Sequence, residues 1–519
     1  MGGHFSKTTK QDAKVNDDRP TPKDDKTSGT NGQPARPHQR HVKSVAVIGA
    51  GYSGVVTAAH LSRYGFDVRV FERSSDVGGV WRFDARVPPD PPYPNERPQT
   101  PFSDQQPPPP PSGPAADLAH APPGPCYAGL RNNVSTMLMR STVVPWPAGT
   151  EEFVTHDDVE AYIRSIVNAA NIRPLMSFDT AVLHVGKPPG ADKWTVRTRT
   201  LRRDLDAEKV AGISFDEREW AFDAVVCASG HYQEPRVPDV PGLAAWKARF
   251  PDRVGHSRAY RDAATARFEG RAVLLIGAAV SSLDIVNEAA AVAAKVYQSS
   301  RDGLFDVPAA MLPLDRGNVE RVAGISRFEL APPPPSADGG GDVQQQQQQL
   351  GDQDPIPGGA VHLADGRVLR DVAQVVVATG YVTSYPYLGP RLQRPGLPPA
   401  AARRARDRDV VVAADGVVHH NLHKDISTRG GRPSRAGGWL SSGEKEDVED
   451  PEAAGRWGKK FHSLLGLDET FTDELLAWVN PQAEAAGGRP VVGPDDAWRA
   501  RYRQMQRERA WRWKAEEED

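Results

Sequence analysis

The chain writes one strand–turn–helix–strand pattern twice. The first copy reads Val45-Ala-Val-Ile-Gly49-Ala-Gly51-Tyr52-Ser53-Gly54 and the second Val273-Leu-Leu-Ile-Gly277-Ala-Ala279-Val-Ser281-Ser282. A short apolar run ending on glycine is a strand buried on both faces. The glycine-rich turn after it lets backbone N–H groups at the start of the next helix approach an anion, and the partial positive charge of that helix end favours a phosphate by about 0.3–2 kcal/mol. In the first copy the glycines at Gly49, Gly51 and Gly54 lead into a helix over about Val55 to Tyr64. A second strand, Asp67-Val-Arg-Val-Phe-Glu72, follows. Glu72 stands where a carboxylate accepts ribose hydroxyls, with Tyr52 and Ser53 at the helix start. Such a unit is a dinucleotide cradle. Two of them predict an α/β chain with two Rossmann-like domains.

The second copy departs from the first at Ala279 and Ser282. Alanine is harmless in such a turn only at negative φ and otherwise costs more than about 1 kcal/mol, so a slightly different turn is expected. The strand that follows, Lys295-Val-Tyr-Gln-Ser299-Ser300-Arg301, ends on two hydroxyls and a guanidinium instead of an acid. Arg grips a 2′-phosphate with paired charge-assisted hydrogen bonds. The first cradle therefore reads as an FAD site and the second as an NADPH site, with Gly277, Ser281, Ser282, Asp284, Ser299, Ser300 and Arg301 as candidate contacts.

The 519 residues suffice for two or three domains. A net charge of −3 leaves no global field to gather nucleic acid. The cysteines, Cys126 and Cys227, build no disulfide framework, match a reducing cytoplasmic compartment, and lack the close spacing of a flavin disulfide reductase. No apolar run reaches the roughly 18 residues of a membrane span. Met1-Gly2-Gly-His-Phe-Ser6-Lys7 fits an N-myristoylation pattern, and a single acyl chain at Gly2 gives only weak, reversible peripheral membrane contact.

Composition divides the chain. Residues 1–41 are polar and charged and are expected to be disordered. An FAD-binding part over 42–230 carries a Pro-rich insertion at 88–125, and an NADPH-binding part over 231–373 carries a Pro/Gln-rich insertion at 331–359; both insertions are expected as surface loops. The strand-to-glycine exits Ala224–Gly230 and Gln374–Gly380 bracket the second unit, so the NADPH domain is expected to be inserted into the FAD domain, which resumes over 374–495. Thr155 caps an amphipathic helix with Val159, Tyr162, Ile163, Ile166 and Val167 on one face. Strands are expected at Thr180–Val185 and Trp194–Thr200. A basic helix closes the chain within 496–519, with Trp498, Tyr502 and Met505 on one side.

With both cradles in place, the chain from about Val45 to Leu388 resembles the class B flavin-containing monooxygenases, the N- and S-oxygenating type. Gly78-Gly79-Val80-Trp81 resembles the family's flavin-contact motif. Leu130-Arg-Asn132-Asn133-Val-Ser-Thr-Met-Leu-Met139, leading into Pro145-Trp-Pro147, resembles the segment with the active-site asparagine, which falls on Asn133. Val226-Cys-Ala-Ser229-Gly230 and Ala378-Thr379-Gly380-Tyr381 resemble the two inter-domain linkers. Phe250-Pro-Asp252-Arg-Val-Gly-His256-Ser-Arg-Ala-Tyr260 resembles the family fingerprint, with Asp252 in place of a glycine and Tyr260 favouring N- and S-oxygenation. The resemblance implies hydride transfer from NADPH to FAD, then O2 addition to give a C4a-hydroperoxyflavin that passes one oxygen atom to a small-molecule nitrogen or sulfur nucleophile. Asn133 orients flavin and nicotinamide, and His256 is a structural residue at the domain junction. The segment 427–445 is polar and glycine-rich where the family has an apolar strand returning to the flavin. Its departure raises two alternatives, an NADPH oxidase that releases only peroxide and a non-catalytic nucleotide-binding relative.

Overall fold

The computed structural model describes residues 42–97, 108–113, 115–188, 190–203, 213–303, 306–331, 354–388, 412–413 and 493–514, with single positions at 473, 477, 480 and 481. Gly2, the remainder of 1–41, and 427–445 lie outside the described residues, as do Pro332–Pro335 and Gln344–Gln349.

The first sheet is entirely parallel. Its members are β1 (Ser44–Ile48), β2 (Asp67–Phe71), β3 (Met176–Ser177), β7 (Ala224–Cys227) and β18 (Val412–Ala413), in the order β18-β7-β1-β2-β3. Strand alternation sends Val45 and Val47 of the central β1 to one face and Ala46 and Ile48 to the other. Both faces are covered, which is why the run is apolar at every position. On the first face lie α1 (Tyr52–Arg63) and α3 (His156–Ala170). Thr155 and Asp158 form a capping box at the start of α3, a cap worth about 1 kcal/mol. Val159, Tyr162, Ile163, Ile166 and Val167 are its buried stripe, as the spacing predicts.

An antiparallel meander of β4 (Thr180–Gly186), β5 (Trp194–Arg203) and β6 (Ile213–Phe222) covers the other face through Val185, Trp194, Val196 and Phe222. The sequence shows β4 and β5 but not β6. Most of β6 is exposed and its middle, Asp216–Glu219, is charged, so it has no sustained apolar alternation to read, and its register comes from pairing with β5.

A second parallel sheet has the order β12-β11-β10-β16-β9, from β9 (Val254–His256), β10 (Ala272–Ile276), β11 (Lys295–Ser299), β12 (Val319–Val322) and β16 (Gln374–Val377). Helix α5 (Val280–Ala289) follows β10. The chain leaves the first unit through β8 (Glu234–Pro235) and returns through β17 (Tyr381–Val382), which pair antiparallel, before β18 rejoins the first sheet beside β7. The second Rossmann-like unit is thus inserted into the first. A small antiparallel sheet, β13 (Ile325–Leu330), β14 (Gly359–Leu363) and β15 (Val368–Leu369), packs Phe328 against Trp246 of α4 (Leu243–Arg249).

The described residues of the Pro-rich insertion at 88–125 are tied to distant elements. Asn95 bridges to Val237 through paired backbone bonds of 2.9 Å. The short helix α2 (Ala116–His120) buries His120, whose Nε2 lies 3.0 Å from the Asp179 carbonyl. Buried Arg199 donates to the carbonyls of Pro108 and Pro109. Proline lacks an N–H but keeps its carbonyl, so arginines from distant elements can anchor a proline run. The last helix, α6 (Asp496–Lys514), is docked through buried Tyr502 and through Trp498, which donates to the Leu138 carbonyl at 3.2 Å.

Candidate functional site

The first cradle is closed by glycine at three contacts. Gly49 has φ +102°, and a Cβ there would lie 2.5 Å from the Ala228 carbonyl oxygen at the exit of β7. A Cβ on Gly54 would lie 2.0 Å from the Gly49 carbonyl oxygen. Gly79 opens the 3-10 turn Gly79–Trp81 at φ +58°, and a Cβ there would meet Gly51 Cα at 2.9 Å. The turn 49–54, the β7 exit and the Gly79-Val80-Trp81 turn therefore touch backbone to backbone. No side chain caps α1, so the N–H groups of its first turn, at Tyr52 and Ser53, have no side-chain cap as acceptor. Buried Glu72 reaches back to this turn: Oε2 accepts from Ala50 N and Oε1 from Ser74 N, both at 2.7 Å. Tyr52 donates through its hydroxyl to the Met139 carbonyl. At the β7 exit Ser229 Oγ lies 2.8 Å from Tyr387 Oη, and Gly230 takes φ +67°.

The second cradle repeats the relation. Gly277 has φ +106°, and its Cβ would lie 2.7 Å from the Ala378 carbonyl oxygen at the exit of β16. Ala279 has φ −88°, so alanine sits there without strain, and α5 begins in the same register after its turn as α1 does. Ser282 is fully buried and its hydroxyl accepts from Gln298 Nε2 at 2.9 Å. Ser299 donates to the Ala323 carbonyl at 3.0 Å and Ser300 to Asp306 Oδ2 at 2.7 Å. Asp284 accepts from the Tyr127 hydroxyl. Of the side chains read from sequence for this cradle, Ser281 and Arg301 are the exposed ones. At the linker, Thr379 donates to the Arg236 carbonyl, and Gly380, at φ +78°, accepts from Arg236 N.

Between the cradles runs the segment 123–133. Asn132 is buried and fully occupied, donating to the Val134 and Glu152 carbonyls and accepting from Val154 N; Asn133 beside it is exposed. His256 ties the fingerprint to the linker: Nδ1 accepts from Arg258 N at 3.0 Å and Nε2 donates to the Gly380 carbonyl at 3.1 Å. Burial pushes its pKa down to about 4, so the ring is neutral near pH 7. Asp252 is exposed and is not among the positive-φ residues, so the replaced fingerprint glycine brings no strain. Tyr260 donates to Glu288 Oε2 at 2.5 Å. Burial raises the pKa of both Asp284 and Glu288. Sequence reasoning missed Tyr127 and Glu288, because nothing local to either marks a partner far away in the chain.

A model of flavin-binding monooxygenase-like proteins matches residues 123–311, and a model of NAD(P)-binding Rossmann-like domains matches 47–97. The chain is 32% identical to the flavin-containing monooxygenase ustF2 of Aspergillus flavus, over 88% of this chain and 95% of that protein. The chain belongs to the flavin-containing monooxygenases. This monooxygenase is also 29% identical to the flavin-containing monooxygenase iboF of Amanita muscaria, over 74% of this chain and 72% of that protein. It shares its fold with the S-allyl-L-cysteine S-oxygenase of Allium sativum, at a TM-score of 0.52 and 21% identity, covering 90% of this chain and 99% of that one. FAD and NADPH are the cofactors of the monooxygenase. Its glycine cradles suit them, since each packs backbone where a Cβ would collide and each leads into a helix start without a side-chain cap. Among the described residues, no helix is long and apolar enough to cross a membrane.

Proposed function

We propose that the enzyme takes hydride from NADPH held at Gly277–Ser282 into FAD held at Gly49–Gly54 and Glu72. It then passes one atom of O2 to a soft nitrogen or sulfur nucleophile of a small molecule, by the flavin-hydroperoxide route that the sequence resemblance implies. The observation that carries this reading is the pair of matched cradles, each closed against an alanine carbonyl at a neighbouring strand exit, with exposed Asn133 on the segment between them.

The cofactors supply the redox chemistry, and the chain's residues bind and orient them. Glu72, already directed at the turn, accepts the adenosine ribose hydroxyls of FAD. Gly79, Val80 and Trp81 line the flavin side, and Ser229, Gly230, Thr379 and Gly380 form the linker walls. Ser281 and Arg301 meet the nicotinamide dinucleotide, with Arg301 as the 2′-phosphate contact. Asn133 holds the flavin and nicotinamide in register through its amide. The domain divisions at residues 230/231 and 373/374 follow from this placement.

The test is to purify the full chain, record its flavin spectrum, and follow NADPH oxidation and peroxide release with and without an amine or a thioether. Flavin colour with oxygen transfer to the added nucleophile supports the reading. Full peroxide yield regardless of nucleophile makes the enzyme an oxidase, and a colourless chain that takes up no FAD removes it from catalysis.

A further inference from the structure

We propose that Tyr127 and Tyr260 are positioning residues that set the gap between the two dinucleotide cradles, through hydroxyl–carboxylate pairs with Asp284 and Glu288 on α5. The inference rests on the cofactor placement above.

Asp284 and Glu288 lie one turn apart on the same face of α5, the helix whose start carries the second cradle. Two separate segments reach them. Tyr127 comes from the segment 123–133 and Tyr260 from the end of the fingerprint. The rings lie together, Tyr127 and Tyr260 at 5.8 Å between centroids and Tyr260 stacked on Phe268 at 5.8 Å. Both tyrosines are buried in the apolar cluster on this side of the second sheet. In such surroundings a bare carboxylate is costly; Asp284 is met by the Tyr127 phenol, and Glu288 by the Tyr260 phenol together with a backbone hydrogen bond at Ala263.

The segment 123–133 is a spacer with both ends fixed. At its far end Gly124 faces Gly79, its Cβ direction 3.9 Å from the Gly79 carbonyl oxygen, and Gly79 in turn rests on Gly51 of the first cradle. At its near end a Cβ on Gly129 would lie 2.3 Å from Glu288 Oε1, so only hydrogen separates the segment from α5. Its middle is held by Ala128 N donating to the Arg261 carbonyl at 2.8 Å, while the Arg261 guanidinium donates to the carbonyls of Asp84, Arg86 and Gly124. Contacts therefore run from Gly51 through Gly79 and Gly124 to Tyr127 and α5. Asn133 lies six positions beyond Tyr127 on the same segment. Packing alone would be served by phenylalanine and leucine, since replacing both partners of a buried hydrogen bond by apolar groups of similar shape can be nearly neutral or stabilising. A directional bond contributes a fixed distance, which matters where reacting atoms must approach to about 3–3.5 Å.

The experiment compares Tyr127→Phe, Asp284→Leu and Asp284→Asn in the full-length flavin-loaded enzyme. It measures flavin per polypeptide, NADP+ affinity by flavin spectral titration, and the rate of anaerobic flavin reduction by NADPH. Asn keeps an oxygen that accepts the phenol hydrogen, so Asp284→Asn serves as the conservative rescue. Tyr127→Phe and Asp284→Leu are expected to keep flavin and NADP+ affinity while reduction slows about ten- to a hundredfold. Asp284→Asn is expected to stay near the wild-type rate, and the Tyr127→Phe/Asp284→Leu double variant to be no slower than either single change. Wild-type reduction rates in Tyr127→Phe with flavin intact would overturn the inference. So would equal slowing in all three variants accompanied by flavin loss, which marks a folding role. A wild-type chain without flavin would instead defeat the cofactor placement and is seen before any variant is made.

Discussion

Gly54→Ala is the sharpest probe of the first cradle. The added Cβ would sit 2.0 Å from the Gly49 carbonyl oxygen. Ordinary contact needs about 3.5 Å, so helix and turn must separate by about 1.5 Å. Neither group can yield alone, because Gly49 N donates to the Phe71 carbonyl at 2.8 Å and Gly49 itself abuts the Ala228 carbonyl. Overpacking of this kind costs about 1–3 kcal/mol of stability. The larger effect falls on the ligand: a displacement of that size breaks backbone N–H bonds to a charged phosphate, each worth about 1.5–3 kcal/mol. Losing two of them weakens FAD binding by roughly two to four orders of magnitude. The assay is flavin absorbance per polypeptide after purification, followed by titration of the apoprotein with FAD. Ala279→Gly, at φ −88° in the second cradle, is the control expected to leave flavin content unchanged. Stoichiometric flavin with wild-type affinity in Gly54→Ala would refute the argument that this contact shapes a phosphate site.

Three further outcomes are expected. Asn133→Ala should retain FAD while the peroxide released per NADPH rises, which a coupled oxidation assay reads; unchanged peroxide yield would remove Asn133 from the site. Arg301→Ala should raise the KM for NADPH by about ten- to a hundredfold without changing that for NADH, the size of a lost charge-assisted bond, whereas Ser300→Ala should do little because its hydroxyl is held by Asp306. His256 has a folded pKa depressed to about 4, so the unfolded chain takes up its proton first as pH falls. Stability from this residue is complete above about pH 6.5 and is lost between there and pH 4, roughly 3 kcal/mol in all. Tm measured from pH 7 to pH 4 should therefore fall less steeply in His256→Asn than in the wild type.

Much of this enzyme was legible without coordinates, for a physical reason. A dinucleotide cradle is local: apolar strand, glycine turn, helix start and terminal acid lie within about thirty residues, and backbone sterics demand each of them. Gly49, Gly54 and Gly277 stand where the collisions with Ala228, Gly49 and Ala378, respectively, require glycine, and Glu72 at the end of β2 accepts from Ala50 N within the first turn. The α3 stripe and its Thr155 cap are local in the same way.

Where a side chain's role depends on a partner far along the chain, sequence was silent. Ser299 and Ser300 read as phosphate contacts, but their hydroxyls are held by Ala323 and Asp306. Asp284 read as a cofactor contact, and its partner is Tyr127. The proline-rich insertion read as a surface loop, and no pattern within it shows that Arg199 will bind its carbonyls. The exposed strand β6 carries no periodicity of its own. Sequence alone thus determined that two phosphate cradles exist and where each begins, since backbone geometry is written in neighbouring residues. Tertiary structure decided which polar groups remain available to a ligand, because a buried donor or acceptor must find a partner and the fold chooses which one it meets.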